Sequence, residues 1–274
     1  MPISKVNGID LYYEVKGEGD PLLIIPGITC DHHWADALLP ELTDHFEVLL
    51  IDLRGVGLSS APDGDYTIKM MSKDVWELVQ KHKWKKPHIL GSSMGGAIAQ
   101  RLVYDHPNDF SKLILSTTAM QFTEPTKKMF EVANDLYAIS APREVMVKFQ
   151  MAIGNGHHFL SDKYKSQEAF TEMTEHPNFQ TAMGYHGQFM ALNEFNSTSW
   201  VSKIKNPTLI IGADEDLICP IEQSFDLHEQ IDQSHLMIIP QSGHAVSVDQ
   251  TDLYVEHVID YLENESPTIA QVAI

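Results

Sequence analysis

Cysteine is scarce in this chain: Cys30 and Cys219 are the only two among 274 residues. Two thiols cannot build a disulfide framework, and this pair lacks metal-ligand spacing, so the expectation is two reduced, packed side chains and no metal. Positive charge is scarce too. Nineteen Lys and Arg stand against 38 Asp and Glu, a formal net charge of −19. Such a balance argues against gripping a nucleic-acid backbone or an anionic membrane surface through bulk charge. No apolar run approaches the ~20 residues that span a bilayer. The opening stretch Met1-Pro2-Ile3-Ser4-Lys5 has no long apolar segment of the secretory kind. These absences lead to the expectation of a cytoplasmic protein with neither nucleic-acid nor membrane partners; a homo-oligomer stays open. No repeat or low-complexity segment is present.

What is there is a large apolar fraction, 43 % of residues, enough for one sizeable core with room for an inserted subdomain. Asn7-Gly8 between two strand-like runs predicts a hairpin, so residues 4 to 15 read as an antiparallel edge. Continuous apolar runs at Pro21–Pro26 and Phe46–Asp52 fit strands covered on both faces, hence a parallel sheet. Between them, Trp34 to Leu42 predicts a helix. Ile68 to Lys83 carries Met70, Met71, Val75, Leu78 and Val79 at helical spacing. Strand, helix and strand follow at His88–Gly91, after Ser93 to about Asp105, and at Lys112–Ser116. This alternation predicts a doubly wound α/β sheet of about eight strands.

The alternation then stops. From about Thr123 to Ser199 only helical patterns occur, rich in Met and aromatic residues. This predicts a helical cap, residues 123–199, inserted between the two parts of a core domain, residues 1–122 and 200–274. Most of the cap's Met and aromatic residues are expected to pack on one another, and some to line an apolar pocket. The sheet pattern resumes at Pro207–Gly212, with a helix over Ile221–Gln230, a last strand at Ser234–Ile239 and a final helix over Leu253–Glu263. The tail from Ser266 to Ile274 is weakly patterned and expected to be mobile.

The stretch that carries chemistry is Pro87 to Gln100. A short apolar run meets a Gly/Ser corner and then an Ala-rich helix start, with Gly91, Ser93 and Gly95 in a G-x-S-x-G pattern. A serine on a tight strand-to-helix turn exposes its Oγ, and its small neighbours let strained backbone pass close to adjacent elements. Ser92 stands one place too early. A serine hydroxyl is a poor nucleophile at neutral pH and needs a base, itself oriented by a carboxylate. The loop Gly212 to Pro220 follows one apolar strand and offers Asp214 and Asp216. The loop Gln241-Ser242-Gly243-His244 follows the last strand. Asp52 to Ser59 contains Gly55-x-Gly57, but loop-forming residues follow rather than a helix, against a dinucleotide site. His32-His33 read as polar helix-entry residues, and His157-His158 as a cap loop.

In this order and on these strand ends, five features resemble the α/β-hydrolase fold superfamily, in its serine esterase, lactonase and haloperoxidase-like group: Ile25–Thr29, Asp52–Ser59, the Gly91–Gly95 corner, the Asp216 loop and Gly243-His244. The resemblance covers roughly residues 8 to 263, most weakly in the cap. It implies Ser93 as nucleophile, His244 as base, Asp216 as orienting acid, and an oxyanion hole from the backbone N–H groups of Ile28 and Met94. It implies no cofactor. Asp216 stands four residues before Pro220, as in the family's D-x-x-x-P turn, but the loop after Gly212 is one residue longer than usual, which leaves Asp214 open. Pro26-Gly27 replaces the family's usual His-Gly. The implied activity is hydrolysis of a small carboxylic ester or lactone through an acyl-serine. Carbon–carbon hydrolysis or perhydrolysis with the same triad, or ligand sensing with minor turnover, are the alternatives. A carboxylate-nucleophile dehalogenase or epoxide hydrolase is disfavoured by Ser93 itself.

Overall fold

A computed structural model describes residues 2–264, so the tail beyond Ser266 lies outside the described residues. Eight strands form one sheet: β1 (Ile3–Val6), β2 (Ile9–Lys16), β3 (Asp20–Ile25), β4 (Phe46–Ile51), β5 (His88–Ser92), β6 (Leu113–Ser116), β7 (Thr208–Ala213) and β8 (Ser234–Ile239). Their order is β1-β2-β4-β3-β5-β6-β7-β8. The β1–β2 hairpin turns at Asn7 and Gly8, both at positive φ (43° and 82°), as a two-residue hairpin turn requires. β2 meets β4 antiparallel, and from β4 to β8 all pairings are parallel. This is the expected eight-stranded, mostly parallel α/β sheet.

Because side chains alternate across a strand, each apolar run feeds two cores. Leu23, Ile25, Leu49, Ile51, Ile89 and Leu113 point to one face, where α2 (Ile68–His82), α3 (Met94–Asp105) and α9 (Ile221–Gln230) pack. Leu22, Ile24, Val48, Leu50, Leu90 and Ile114 point to the other, against α1 (Leu39–Leu42) and α11 (Thr251–Glu263). A short helix α10 (Val246–Asp249) precedes α11. Continuous hydrophobicity is what a strand covered on both faces needs.

Between β6 and β7 the chain builds five helices and no strand among the described residues: α4 (Glu124–Ala138), α5 (Arg143–Gly154), α6 (His157–Ser161), α7 (Lys163–Glu175) and α8 (Ala182–Glu194). Ala133, Tyr137, Met146 and Tyr185 form one apolar cluster of this insertion, and Val147, Met151 and Phe159 another. α8 is fastened to the sheet side by backbone contact. A Cβ on Gly184 would lie 1.9 Å from the Gly55 carbonyl oxygen, and the Tyr66 N–H donates to the Gly187 carbonyl.

Two local expectations fail. Trp34 to Leu42 is not one helix: a 3-10 turn spans His32–Ala35, and α1 is a single turn at Leu39–Leu42. The Asp31 carboxylate caps the first piece through the His33 N–H, and Pro40 starts the second, where its missing N–H costs nothing. His157-His158 form the start of α6 rather than a loop, because Gly156 turns the chain back into helix after α5 ends at Gly154.

Arg54 sits at the foot of the insertion. Its guanidinium clamps Asp74 of α2 through two bonds, Nε to Oδ2 at 2.5 Å and Nη2 to Oδ1 at 2.6 Å, with both side chains almost fully buried. A buried pair loses more when broken than it gains when formed, because the survivor keeps an uncompensated charge. Arg54→Met is therefore expected to lower unfolding free energy by about 3–5 kcal/mol, and Arg54→Met combined with Asp74→Leu to lower it less. Urea unfolding of the three proteins checks this order.

Candidate active site

β3 has β4 on one side and β5 on the other, so chain direction across the sheet reverses there. Loops leaving the carboxyl ends of strands at such a point line a crevice. The loop after β3 carries Ile28, and the corner after β5 carries Ser93. They touch: a Cβ on Gly27 would stand 3.2 Å from Ser93 Cβ.

Ser93 has φ 54° and ψ −116°, a backbone conformation that L-residues rarely adopt. The surroundings hold it there. Its N–H donates to the Ser116 carbonyl at 2.9 Å. Its own carbonyl accepts from the Thr118 hydroxyl at 2.7 Å and from the Gly96 N–H at 2.9 Å. Glycine is required beside it because backbones pass almost in contact. A Cβ on Gly95 would lie 1.9 Å from the Ile25 carbonyl oxygen, and one on Gly91 would lie 2.5 Å from the Gly95 carbonyl oxygen. Ser92 ends β5 in register with Ser116, one residue before the corner.

His244 follows β8 and reaches Ser93 from 151 residues away in the chain, with Nε2 2.8 Å from Ser93 Oγ. Its Nδ1 lies 2.9 Å from Asp216 Oδ2 and 3.1 Å from Oδ1. A carboxylate can only accept, so the ring's Nδ1 carries the proton and Nε2 presents a lone pair to the serine hydroxyl. Asp216 is fixed in turn by the Ile218 and Cys219 N–H groups, each donating to Oδ1 at 2.8 Å. Asp214 is exposed; its carboxylate takes the Ser242 N–H at 3.3 Å and makes no bond to His244. β7 runs on to Ala213, so Asp214 is the first residue beyond the strand. Ser93 and Asp216 are buried, and the His244 side chain is 14 % exposed.

Met94 opens α3, so its N–H belongs to the first helical turn, where no intrahelical acceptor exists. Ile28 lies in the loop after β3, just before Thr29 at φ 68°. In the loop that carries Pro26 and Gly27, the Cys30 N–H reaches back to the Gly27 carbonyl at 3.4 Å. Ile28 also packs against the apolar cluster of the insertion that holds Tyr137 and Tyr185.

Several residues at this rim were given no role by the sequence. Gln188 of α8 is fully buried. Its Nε2 donates to the Arg54 carbonyl at 2.8 Å, and its Oε1 accepts from Gln180 at 2.9 Å and from the Thr29 N–H at 3.4 Å. Thr118 follows an apolar strand with no motif around it. Asp52 accepts from the His32 N–H at 2.6 Å and the Leu58 N–H at 2.8 Å. Burial pushes the Asp52 carboxyl up, against those hydrogen bonds. The segment after Asp52 makes turns at Gly55 and Gly57 and opens no helix until Ile68. Burial also pushes the Cys30 thiol up to about 12 and the Cys219 thiol well up, so both are poor thiolates.

Asp31, His33 and His176 bring three ligand-type atoms together. However, His176 Nδ1 accepts the Asn178 N–H at 3.2 Å, so its Nε2 is the protonated nitrogen facing Asp31 and offers no lone pair to a cation. His244 likewise has both nitrogens engaged.

The family model described as the alpha/beta hydrolase fold matches residues 20–251. A poly(3-hydroxyalkanoate) depolymerase of Ectopseudomonas oleovorans is 26 % identical over 89 % of this chain and 85 % of its own length. A 2-hydroxy-6-oxo-6-(2'-aminophenyl)hexa-2,4-dienoic acid hydrolase of Metapseudomonas resinovorans is 24 % identical over 94 % and 89 %. Among solved structures, an esterase from Exiguobacterium antarcticum superposes with a TM-score of 0.85 at 26 % identity, covering 96 % of this chain and 98 % of that one.

The corner makes a local demand that stability measurements can test. Gly95→Ala drives a methyl into the Ile25 carbonyl and is expected to destabilise by about 3 kcal/mol or more, the upper end for overpacking. Gly154→Ala meets nothing within 4 Å and is expected to leave the urea midpoint unchanged or raised.

Proposed function

The chain belongs to the α/β-hydrolase fold family, and from that premise we propose that it is a serine hydrolase cleaving a small carboxylic ester or lactone through an acyl-enzyme on Ser93. The observation that carries this reading is the unbroken line of contacts from Asp216 through His244 to Ser93 Oγ. Ser93 Oγ attacks the carbonyl carbon while its proton passes to His244 Nε2. The charge that develops on the carbonyl oxygen is met by the N–H groups of Met94 and Ile28, aimed where the oxyanion forms. Collapse breaks the bond to the leaving alkoxide, which takes the proton from His244. Water, deprotonated by the same nitrogen, then releases the acid and returns Ser93 to its hydroxyl form. Asp216 holds the imidazole in the required tautomer and stabilises its charged form without taking the proton.

The helical insertion acts as the cap of this site. Ile28, in the loop beside Ser93, packs against the Tyr137–Tyr185 cluster of the insertion, which supports an apolar site suited to a neutral acyl or alcohol group. A second reading, hydrolysis of a carbon–carbon bond beside a carbonyl, uses the same three side chains and is favoured by the dienoic acid hydrolase among the relatives. A panel of p-nitrophenyl acetate and butyrate, simple lactones and a vinylogous 1,5-diketone separates the two. Turnover confined to the diketone favours the second reading, and a folded protein that turns over none of them overturns both.

Ser93→Ala and His244→Ala are each expected to lower kcat by roughly 10³-fold or more, since the members act as a unit, with the circular dichroism spectrum retained. Asp216→Asn is expected to cost kcat heavily. Asp214→Asn, which touches only the Ser242 N–H, is expected to stay near the parent rate. Steady-state kinetics on p-nitrophenyl butyrate read all four.

A further inference from the structure

His244 is flanked on both sides by contacts to the insertion. The residue after it, Ala245, donates its N–H directly to the Gly154 carbonyl at 2.7 Å. The residue before it, Gly243, donates its N–H to Asp249 Oδ2 at 2.8 Å, and that same oxygen accepts the Gly156 N–H at 2.7 Å. The other oxygen, Oδ1, takes the Asn155 side-chain amide at 2.8 Å. The two loops are pressed together here: a Cβ on Gly243 would lie 2.6 Å from the Gly156 nitrogen. Asp249 is half-buried, and among the described residues no lysine or arginine pairs with it. Its charged neighbour is Glu215, whose carboxylate accepts the His157 N–H. Burial pushes the Asp249 carboxyl up while its three donors pull it down. A carboxylate kept in such a place without a cation is held by the backbone amides it serves.

We propose that Asp249 is a positioning residue. Its carboxylate sets the His244 loop at the distance Ser93 requires and links that setting to the α5–α6 junction of the insertion. The inference rests on the reading of Ser93 and His244 as nucleophile and base. Asp249 touches no reacting atom. It acts through the Gly243 amide, one residue from the imidazole, so its loss displaces the base while leaving the packing of Ile28 on the Tyr137–Tyr185 cluster in place. The signature is a fall in kcat with KM little changed. Asn at this position keeps the role. Its Oδ1 can serve both backbone amides, and its Nδ2 can face the Asn155 amide turned over to present oxygen.

The test is the rate at which a fluorophosphonate labels Ser93. Ser93 Oγ forms a bond to phosphorus, fluoride leaves, and the hydroxyl proton goes to His244. Wild type, Ser93→Ala, Asp249→Ala, Asp249→Asn and Asn155→Ala are compared, alongside kcat and KM on p-nitrophenyl butyrate and circular dichroism. Wild type should label and Ser93→Ala should not; equal labelling of those two sinks the reading of the nucleophile and not the role of Asp249. Asp249→Ala should label and turn over about 10–100-fold more slowly, the range for removing a group that orients a functional side chain. Asp249→Asn should recover most of the rate, and Asn155→Ala should lose a smaller factor. The proposal is overturned if folded Asp249→Ala labels at the wild-type rate, or if Asp249→Asn is as slow as Asp249→Ala. Should Asp249→Ala fail to fold, a wild-type rate in Asn155→Ala overturns the link to the insertion, and a slowed rate in that variant supports it.

Discussion

One constraint governs the rim of this sheet: Ser93 must sit at positive φ between a strand and a helix that leave it almost no room. Backbone strain of this kind costs of order 1–3 kcal/mol and persists only where the surroundings over-determine it. Here they do. Ser116 and Thr118 of the neighbouring strand and its loop hold the Ser93 amide and carbonyl, while Gly91 and Gly95 let α3 and the β3 loop approach to backbone contact. The same close approach sets Gly27 against Ser93 and brings the Ile28 loop beside the first turn of α3. The serine hydroxyl and the helix's positive end therefore share one small space with the β3 loop, for reasons of packing before any reason of chemistry.

The imidazole reaches that space from the far side of the sheet, on a loop after β8 that has little stiffness of its own. Three groups supply it. Asp216 fixes the ring from a turn closed by its own Ile218 and Cys219 amides. Asp249 and Gly154 grip the loop on either side of the ring. The insertion is thus part of what places His244. It also reaches the β3 loop through Gln188 and the Thr29 amide. A helical segment that touches both the β3 loop and the His244 loop cannot shift without both loops feeling it.

The strands were legible because a strand covered on both faces must be continuously apolar, and Leu22–Ile25, Val48–Ile51 and Leu113–Leu115 are. The corner was legible because only glycine satisfies its contacts. Trp34–Leu42 misled because helix-forming residues there are cut by a capping Asp31 and by Pro40, and a four-residue helix leaves no period to read. His157-His158 misled because Gly154-Asn155-Gly156 looks like a loop signal and is a two-residue turn between helices. Gln188, Thr118 and Asp249 were invisible: a lone polar residue has no periodicity, and each has a partner 25 to 159 residues away.

The sequence alone determined the α/β alternation, the strand ends and the serine corner, since each depends on neighbours within a turn or two of chain. It also named both acids that could face the histidine and, through the family's turn before Pro220, preferred Asp216 but left Asp214 open. That choice belonged to the tertiary structure, because it turns on where β7 stops and which carboxylate the Ile218 and Cys219 amides can hold beneath an imidazole 28 residues further on. The grip of the insertion on the histidine loop was decided there as well, through amides that every residue but proline carries and no sequence pattern marks.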